Sequence, residues 1–288
     1  MMNDTALSVK GLTKRYRDFV LDGVTFDVPR GTIVGLIGEN GAGKSTTLSA
    51  ILGLISKDDG TVSILGNSDD EMVDTLRNKI GVVFDGNNFP DILTPKQLNK
   101  VFKNIYTTWE ENTFFSMLKS LSIPDKKAIK AFSKGMKMKL SIAVALSHHS
   151  ELLILDEATS GLDPVVRDDI LDMFLNFVQD EKNSILVSSH ITSDLEKVAD
   201  YIVFIHNGKV VFNKPKDELK YKYGIIKCGA AQFNAIDKED IIAYRKQDYE
   251  WQALIADKSL AHRKYPKAVV DSATIDDIML LYVKGESR

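Results

Sequence analysis

Gly38-Glu39-Asn40-Gly41-Ala42-Gly43-Lys44-Ser45-Thr46 is the stretch from which the rest of the chain can be read. Glycines at 38 and 43, followed by Lys and Ser, fit the phosphate-binding loop pattern G-x-x-x-x-G-K-[ST]. The apolar run Ile33-Val34-Gly35-Leu36-Ile37 just before it predicts a buried strand, and residues 45–52 predict a helix. A loop in that position turns backbone N–H groups toward an anion, and the helix N-terminus adds partial positive charge. Lys44 is expected to reach the β- and γ-phosphates and Ser45 to hold Mg²⁺. Gly38, Asn40, Gly41, Gly43, Lys44, Ser45 and Thr46 are therefore the candidate nucleotide ligands. The loop by itself specifies binding of a nucleoside triphosphate and not what is done with it.

The partner of such a loop is Leu152-Leu153-Ile154-Leu155-Asp156-Glu157, four apolar residues ending in two carboxylates. The run predicts a strand of a parallel sheet, with Asp156 at its C-terminal end toward Mg²⁺. Glu157, one residue on, points elsewhere and can polarise a water against the γ-phosphate. The competing reading is a plain turn after a strand. Residues 184–190 predict a further buried strand ending in His190, on the ligand side of an α/β sheet. An imidazole there can donate a hydrogen bond to a γ-phosphate. His148, His149, His206 and His262 have no comparable placement and are expected to face solvent.

Around these runs, residues 7–10 and 24–28 alternate apolar and polar side chains as half-buried strands do. Tyr16, between them, reads equally as an aromatic for an adenine ring or as an edge-strand residue. Residues 61–66 and 80–84 predict strands, and 69–78 a polar helix. Asp85, which closes the strand at 80–84 within Asp85-Gly86-Asn87-Asn88, is a candidate for Mg²⁺ or for positioning water, and also suits an Asp-Gly turn. Residues 95–121 are helical in pattern and read as a helical insertion. Phe132-Ser133-Lys134-Gly135-Met136 opens a helix running to about Ser147, with Ser133 as N-cap; the start is either an anion site or simply a capped end. Residues 165–178 and 193–199 predict helices, and Asn207-Gly208 between apolar runs predicts a hairpin. After Asn213-Lys214-Pro215 the composition changes. Residues 224–227 and 250–255 read as strands and 236–244 and 275–283 as helices, in a small α+β region without a chemical motif.

The composition is that of a globular chain: 288 residues, 44% hydrophobic, 27% charged, net charge −3. That balance does not favour nucleic acid as a partner. The single cysteine, Cys228, excludes an internal disulfide and reads as an apolar filler. No apolar run approaches the roughly 20 residues of a membrane span, and Met1-Met2-Asn3-Asp4 begins no signal peptide. A soluble or peripheral protein is expected.

Taken together, the motifs resemble those of the ATP-binding cassette ATPases, the nucleotide-binding subunits of ABC transporters, over about residues 5–215. Tyr16 matches the adenine-stacking aromatic, 38–46 Walker A, 132–136 the signature, 152–157 Walker B with its catalytic glutamate, 160–163 the D-loop and His190 the switch histidine. The resemblance implies an α/β P-loop NTPase fold over residues 1–215, with a helical subdomain at about 90–150 and an antiparallel β subdomain. Residues 216–288 would be a C-terminal accessory α+β region. It implies an active ATPase using ATP and Mg²⁺, with Glu157, His190 and Lys44 catalytic, and Ser45, Asp156 and Asp85 toward the metal. Walker A of one subunit and Ser133 and Gly135 of another, in a homo- or heterodimer, would enclose one ATP. A separate transmembrane permease would be the further partner, and the location cytoplasmic, on the inner face of the membrane. Two departures stand out. Asp85 replaces the family's Gln, and the family's L-S-G-G-Q becomes F-S-K-G-M, which keeps Ser133 and Gly135 but adds Lys134.

The expected role is to power export of a drug, antibiotic or peptide. The alternative is a cassette ATPase without a membrane partner, acting on ribosomes or DNA. One cassette and no heptad run disfavour it. A small-molecule kinase would require neither the signature nor the paired Asp156-Glu157.

Overall fold

In the computed structural model, residues 5–68, 74–86, 88–247 and 249–287 are described. The expected strand before the phosphate loop is the middle of a six-stranded sheet. In chain order the elements of this part are β1 (Thr5–Arg15), β2 (Val20–Pro29), β3 (Ile33–Ile37), α1 (Lys44–Ile51), β4 (Asp59–Ile64), β5 (Asn67–Ser68), α2 (Asp74–Arg77), β6 (Ile80–Val83), α3 (Pro95–Ile105), α4 (Glu111–Ser120), α5 (Lys134–Leu146), β7 (Leu152–Asp156), α6 (Pro164–Phe177), β8 (Ser184–Ser189), α7 (Thr192–Val198), β9 (Tyr201–His206) and β10 (Lys209–Pro215). The central sheet runs β10-β9-β3-β8-β7-β6, parallel except for the β9–β10 hairpin. β3 and β8 are buried along their whole length, which explains why they read as unbroken apolar runs. One face packs against an antiparallel sheet, β2-β1-β4-β5, with α1 between them. The other face is covered by α5, α6 and α7. Parallel strands bring the C-terminal ends of β3, β7 and β8 to one edge, where the phosphate loop starts.

Of the helix expected at 69–78, residues 74–77 are helical and 69–73 lie outside the described residues. So do residue 87 of the turn after β6 and residues 1–4 of the N-terminus. The helical stretch expected at 95–121 is two helices, with Tyr106 in extended conformation after α3. The Tyr106 ring stacks on the His148 imidazole at 4.0 Å, and the Thr108 hydroxyl donates to the His148 carbonyl at 2.7 Å. These contacts to the end of α5 turn the chain, and apolar spacing alone does not register them. α3 starts as its sequence dictates: Thr94 and Gln97 cap each other reciprocally and Pro95 occupies the first turn.

His148 is thus not a solvent-facing residue. It is 1% exposed, and its Nδ1–H donates to the Asn78 carbonyl at 2.8 Å. Burial holds its pKa below the ordinary histidine value. His206 also departs from that expectation, lying half-buried with Nδ1 2.7 Å from Glu39 Oε1. His149 and His262 are exposed.

Beyond Pro215 the chain continues as α8 (Lys216–Lys222), β11 (Gly224–Cys228), α9 (Ala230–Asn234), β12 (Ile241–Gln247), β13 (Glu250–Ile255), α10 (Lys258–Lys264), β14 (Val269–Ser272), α11 (Ile275–Lys284) and β15 (Glu286–Ser287). Its strands form an antiparallel sheet, β14-β11-β13-β12-β15. The helix expected at 236–244 is a 3₁₀ turn, Lys238–Asp240, followed by a strand. Pairing with β13 fixes β12 as a strand with a bulge between Ile241 and Ala243, so that Ile241 and Tyr244 pack in one apolar core and Ile242 and Ala243 in another. Leu219, Tyr223, Leu254, Ile278 and Leu281 share one apolar core with Leu195, Phe204 and Phe212 of the preceding part.

Candidate functional site

The phosphate loop bridges β3 and α1. Gly38 has no room for a side chain, since a Cβ would lie 2.4 Å from the Ile205 carbonyl oxygen. Gly43, at φ +113°, caps α1, and a Cβ there would meet the Phe19 ring at 2.9 Å. The β9–β10 turn clamps the loop from behind. Gly208 N–H donates to the Ala42 carbonyl at 3.0 Å, and Asp22 N–H donates to the Gly208 carbonyl at 2.8 Å. Lys44 is buried, its ammonium donating to the carbonyls of Gly38 at 2.8 Å and Glu39 at 3.3 Å. Its nearest counter-charge is Glu157 Oε1 at 3.7 Å. A buried ammonium needs such partners, and the loop's own carbonyls supply two of them.

Asp156 ends β7 and Glu157 follows in a left-handed conformation, φ +53°, unusual for a residue with a side chain. That turn separates the two carboxylates. Asp156 Oδ1 accepts from the Ser188 hydroxyl of β8 at 2.5 Å. Glu157 is anchored by its N–H, which donates to Ser188 O at 3.1 Å and Oγ at 3.2 Å, and its Oε2 lies 2.5 Å from His190 Nδ1. Ser188 was not apparent from the sequence. It sits opposite Asp156 only through the parallel register of β7 and β8.

A cleft of about 780 Å³ collects most of the loop with Glu157 and His190, while Gly38, Asp156 and Ser188 are not part of its lining. It is lined by Asp18, Phe19, Glu39, Asn40, Gly41, Gly43, Lys44, Ser45, Thr46, Asp85, Glu157, Ser160 and His190. A glycine-rich loop at the start of α1, with the buried ammonium of Lys44 and the hydroxyls of Ser45 and Thr46 at the cleft, suits a polyphosphate. The hydroxyl of Ser45 and the carboxylate of Asp156 are hard oxygen donors. Among the described residues no group of three or more His, Cys, Asp or Glu side chains could hold a metal by itself. Few protein oxygens beside a phosphate cradle fit Mg²⁺, which is commonly held by one or two carboxylates and substrate phosphates.

Tyr16 does not line the cleft; the residue is 47% exposed and the aromatic at the margin is Phe19. Ser133 and Gly135 also stand outside it. The Ser133 hydroxyl accepts from Met136 N–H at 3.2 Å, capping α5, and a Cβ on Gly135 would lie 3.1 Å from Val166 of α6. Asp85 lines the cleft with Oδ1 3.0 Å from Lys134 Nζ.

Residues 21–160 match the ABC transporter family. The chain is 34% identical over 219 residues to the bacitracin transport ATP-binding protein BcrA of Bacillus licheniformis, covering 75% of this chain and 72% of that one. It is 35% identical over 214 residues to the lantibiotic transport ATP-binding protein SrtF of Streptococcus pyogenes, covering 73% and 91%. A solved ATP-binding subunit of an ABC transporter superposes with a TM-score of 0.68 at 32% identity, over 75% of this chain and 92% of that one.

Proposed function

The chain belongs to the ABC transporter family as an ATP-hydrolysing cassette, and from that premise we propose how its residues divide the work. The N–H groups of 38–46 and Lys44 bind the β- and γ-phosphates, and Tyr16 stacks on the adenine beside Phe19. Ser45 and Asp156 hold Mg²⁺, which when bound neutralises charge on the transferred phosphate. Glu157 orients and deprotonates the attacking water. His190 steadies Glu157 through Nδ1 and offers its other ring nitrogen to the γ-phosphate. Residues 1–215 form the ATP-binding unit, with the helical part at about 90–150, and 216–288 form an accessory region docked on it.

One observation carries the reading. The cleft gathers the phosphate loop, Glu157 and His190, whereas Ser133 and Gly135 lie outside it at a capped helix start. Each chain thus carries a phosphate site and, separately, an anion-ready helix end, and a second cassette subunit, identical or not, completes the site. A transmembrane permease is the other partner. A groove lined by Leu52, Leu54, Ile80, Val82, Phe84 and Ile105 together with Arg77, Asn78, Tyr106 and Thr107, with Leu54 and Ile105 exposed, suits an amphipathic segment of it. Among the described residues no helix is long and apolar enough to cross a membrane. The complex would export a peptide, antibiotic or drug from the cytoplasmic face, in keeping with the bacitracin and lantibiotic transport named for the relatives. Co-purification of the tagged chain from solubilised membranes with a multi-span protein encoded beside it, and ATPase stimulation by that protein in vesicles, test this. Recovery with ribosomes or DNA instead would overturn it.

A further inference from the structure

Two residues that break the family pattern, Asp85 and Lys134, meet. Asp85 Oδ1 lies 3.0 Å from Lys134 Nζ, and both side chains are nearly half exposed. Lys134 is the first residue of α5, beside the Ser133 cap. Its side chain crosses Gly161, where a Cβ would lie 3.2 Å from Nζ and where φ is +67°. Three segments therefore converge on this ammonium: the loop after β6, the start of α5 and the turn before α6.

Each charge is unfavourable in its place without the other. α5 has no acidic residue in its first turn, so Lys134 sets a cation against the positive end of the helix dipole. Asp85 sets a carboxylate on the wall of a cleft built for a polyphosphate. Paired, the two cancel. We infer that Asp85 is the charge partner of Lys134 rather than a metal ligand, and that Lys134 is a positioning residue that draws this carboxylate away from the nucleotide and ties the cleft wall to the start of α5. The inference rests on the reading of the cleft as an ATP site.

Equilibrium binding of the fluorescent analogue trinitrophenyl-ATP, in EDTA and in Mg²⁺, tests it without turnover. Binding by the unaltered protein and its loss in Lys44→Ala report on the ATP site itself, separately from the pair. Lys134→Ala strands the carboxylate and is expected to weaken binding about three-fold in both conditions, the scale of an exposed ion pair. The double variant Asp85→Asn with Lys134→Ala restores binding, and the reversed pair Asp85→Lys with Lys134→Asp retains it. Circular dichroism melts within a degree or two of the unaltered protein show that the variants fold. Two results would overturn the inference. One is binding by Lys134→Ala equal to that of the unaltered protein. The other is an Asp85→Asn variant that loses affinity in Mg²⁺ but not in EDTA, the behaviour of a metal ligand.

Discussion

Ser188→Ala removes one oxygen from the floor of the site. Its hydroxyl donates to Asp156 Oδ1 at 2.5 Å and accepts from Glu157 N–H at 3.2 Å, and the residue is fully buried. A hydrogen bond to a charged group contributes about 1.5–3 kcal/mol. Asp156 is only partly buried, and Glu157 N–H keeps the Ser188 carbonyl at 3.1 Å, so the lower value, about 1.5 kcal/mol, applies. With an unfolding entropy of about 2.1 cal/mol/K per residue, 288 residues convert that loss into a Tm lower by about 2–3 °C. The larger effect is on function. A group that orients a metal-binding carboxylate is worth about 10–100-fold in metal affinity. ATPase activity titrated with Mg²⁺ is therefore expected to need about 10-fold or more extra metal to reach half its maximum, with Ser188→Thr close to the unaltered protein. A lowered Tm with an unchanged Mg²⁺ titration would show that Ser188 stabilises the sheet without orienting a metal ligand, and the account of Asp156 would be wrong.

Other outcomes follow from the same geometry. Lys44→Ala is expected to abolish trinitrophenyl-ATP binding and ATP hydrolysis; hydrolysis at more than a few per cent of normal would remove Lys44 from its role. Gly38→Ala places a Cβ 2.4 Å from the Ile205 carbonyl, whereas Gly41→Ala, at φ +83°, meets nothing within 4 Å. The first should lose nucleotide binding outright. The second should cost only the left-handed conformation, about 1–2 kcal/mol, as read by thermal melts with and without ATP. His148 supplies a pH signature. Its folded pKa is below its ordinary value of 6.5, so the unfolded chain takes up the proton first. Its contribution to stability is complete above about pH 6.5 and is lost as pH falls from there toward the lowered folded pKa. In melts at pH 7.5 and 5.5, His148→Phe keeps a ring against Tyr106 and should show a smaller drop in Tm between the two than the unaltered protein does.

The parallel strands were legible because they are buried on both faces and bounded by turn residues, and the caps at Thr94, Ser133 and Asp163 form as their side chains dictate. The phosphate loop, the two carboxylates and His190 were legible because each follows a strand of the same sheet. What escaped depends on register or on distant chain. Ser188 faces Asp156 only because β7 and β8 pair as they do, and Gly208 touches the phosphate loop from a hairpin far along the sequence. Residues 236–244 carry apolar positions at a spacing a helix would also use, and β13 decides between the two. His148 looked like a surface residue because nothing local reveals the Tyr106 ring and the Asn78 carbonyl that enclose it.

The account depends most on an ATP shared between two cassette subunits, and two copies of this chain at high concentration are the direct way to test it. Glu157→Gln keeps the size of the side chain while removing the base, and loss of a general base lowers turnover by about 10²–10⁴-fold. With hydrolysis blocked, the ATP-bound closed form should accumulate. Light scattering of Glu157→Gln in saturating Mg²⁺ and ATP is predicted to give twice the 32.1 kDa of one chain, falling to one chain when Ser133→Arg is added. A single-chain mass for Glu157→Gln with ATP bound at full occupancy would contradict it.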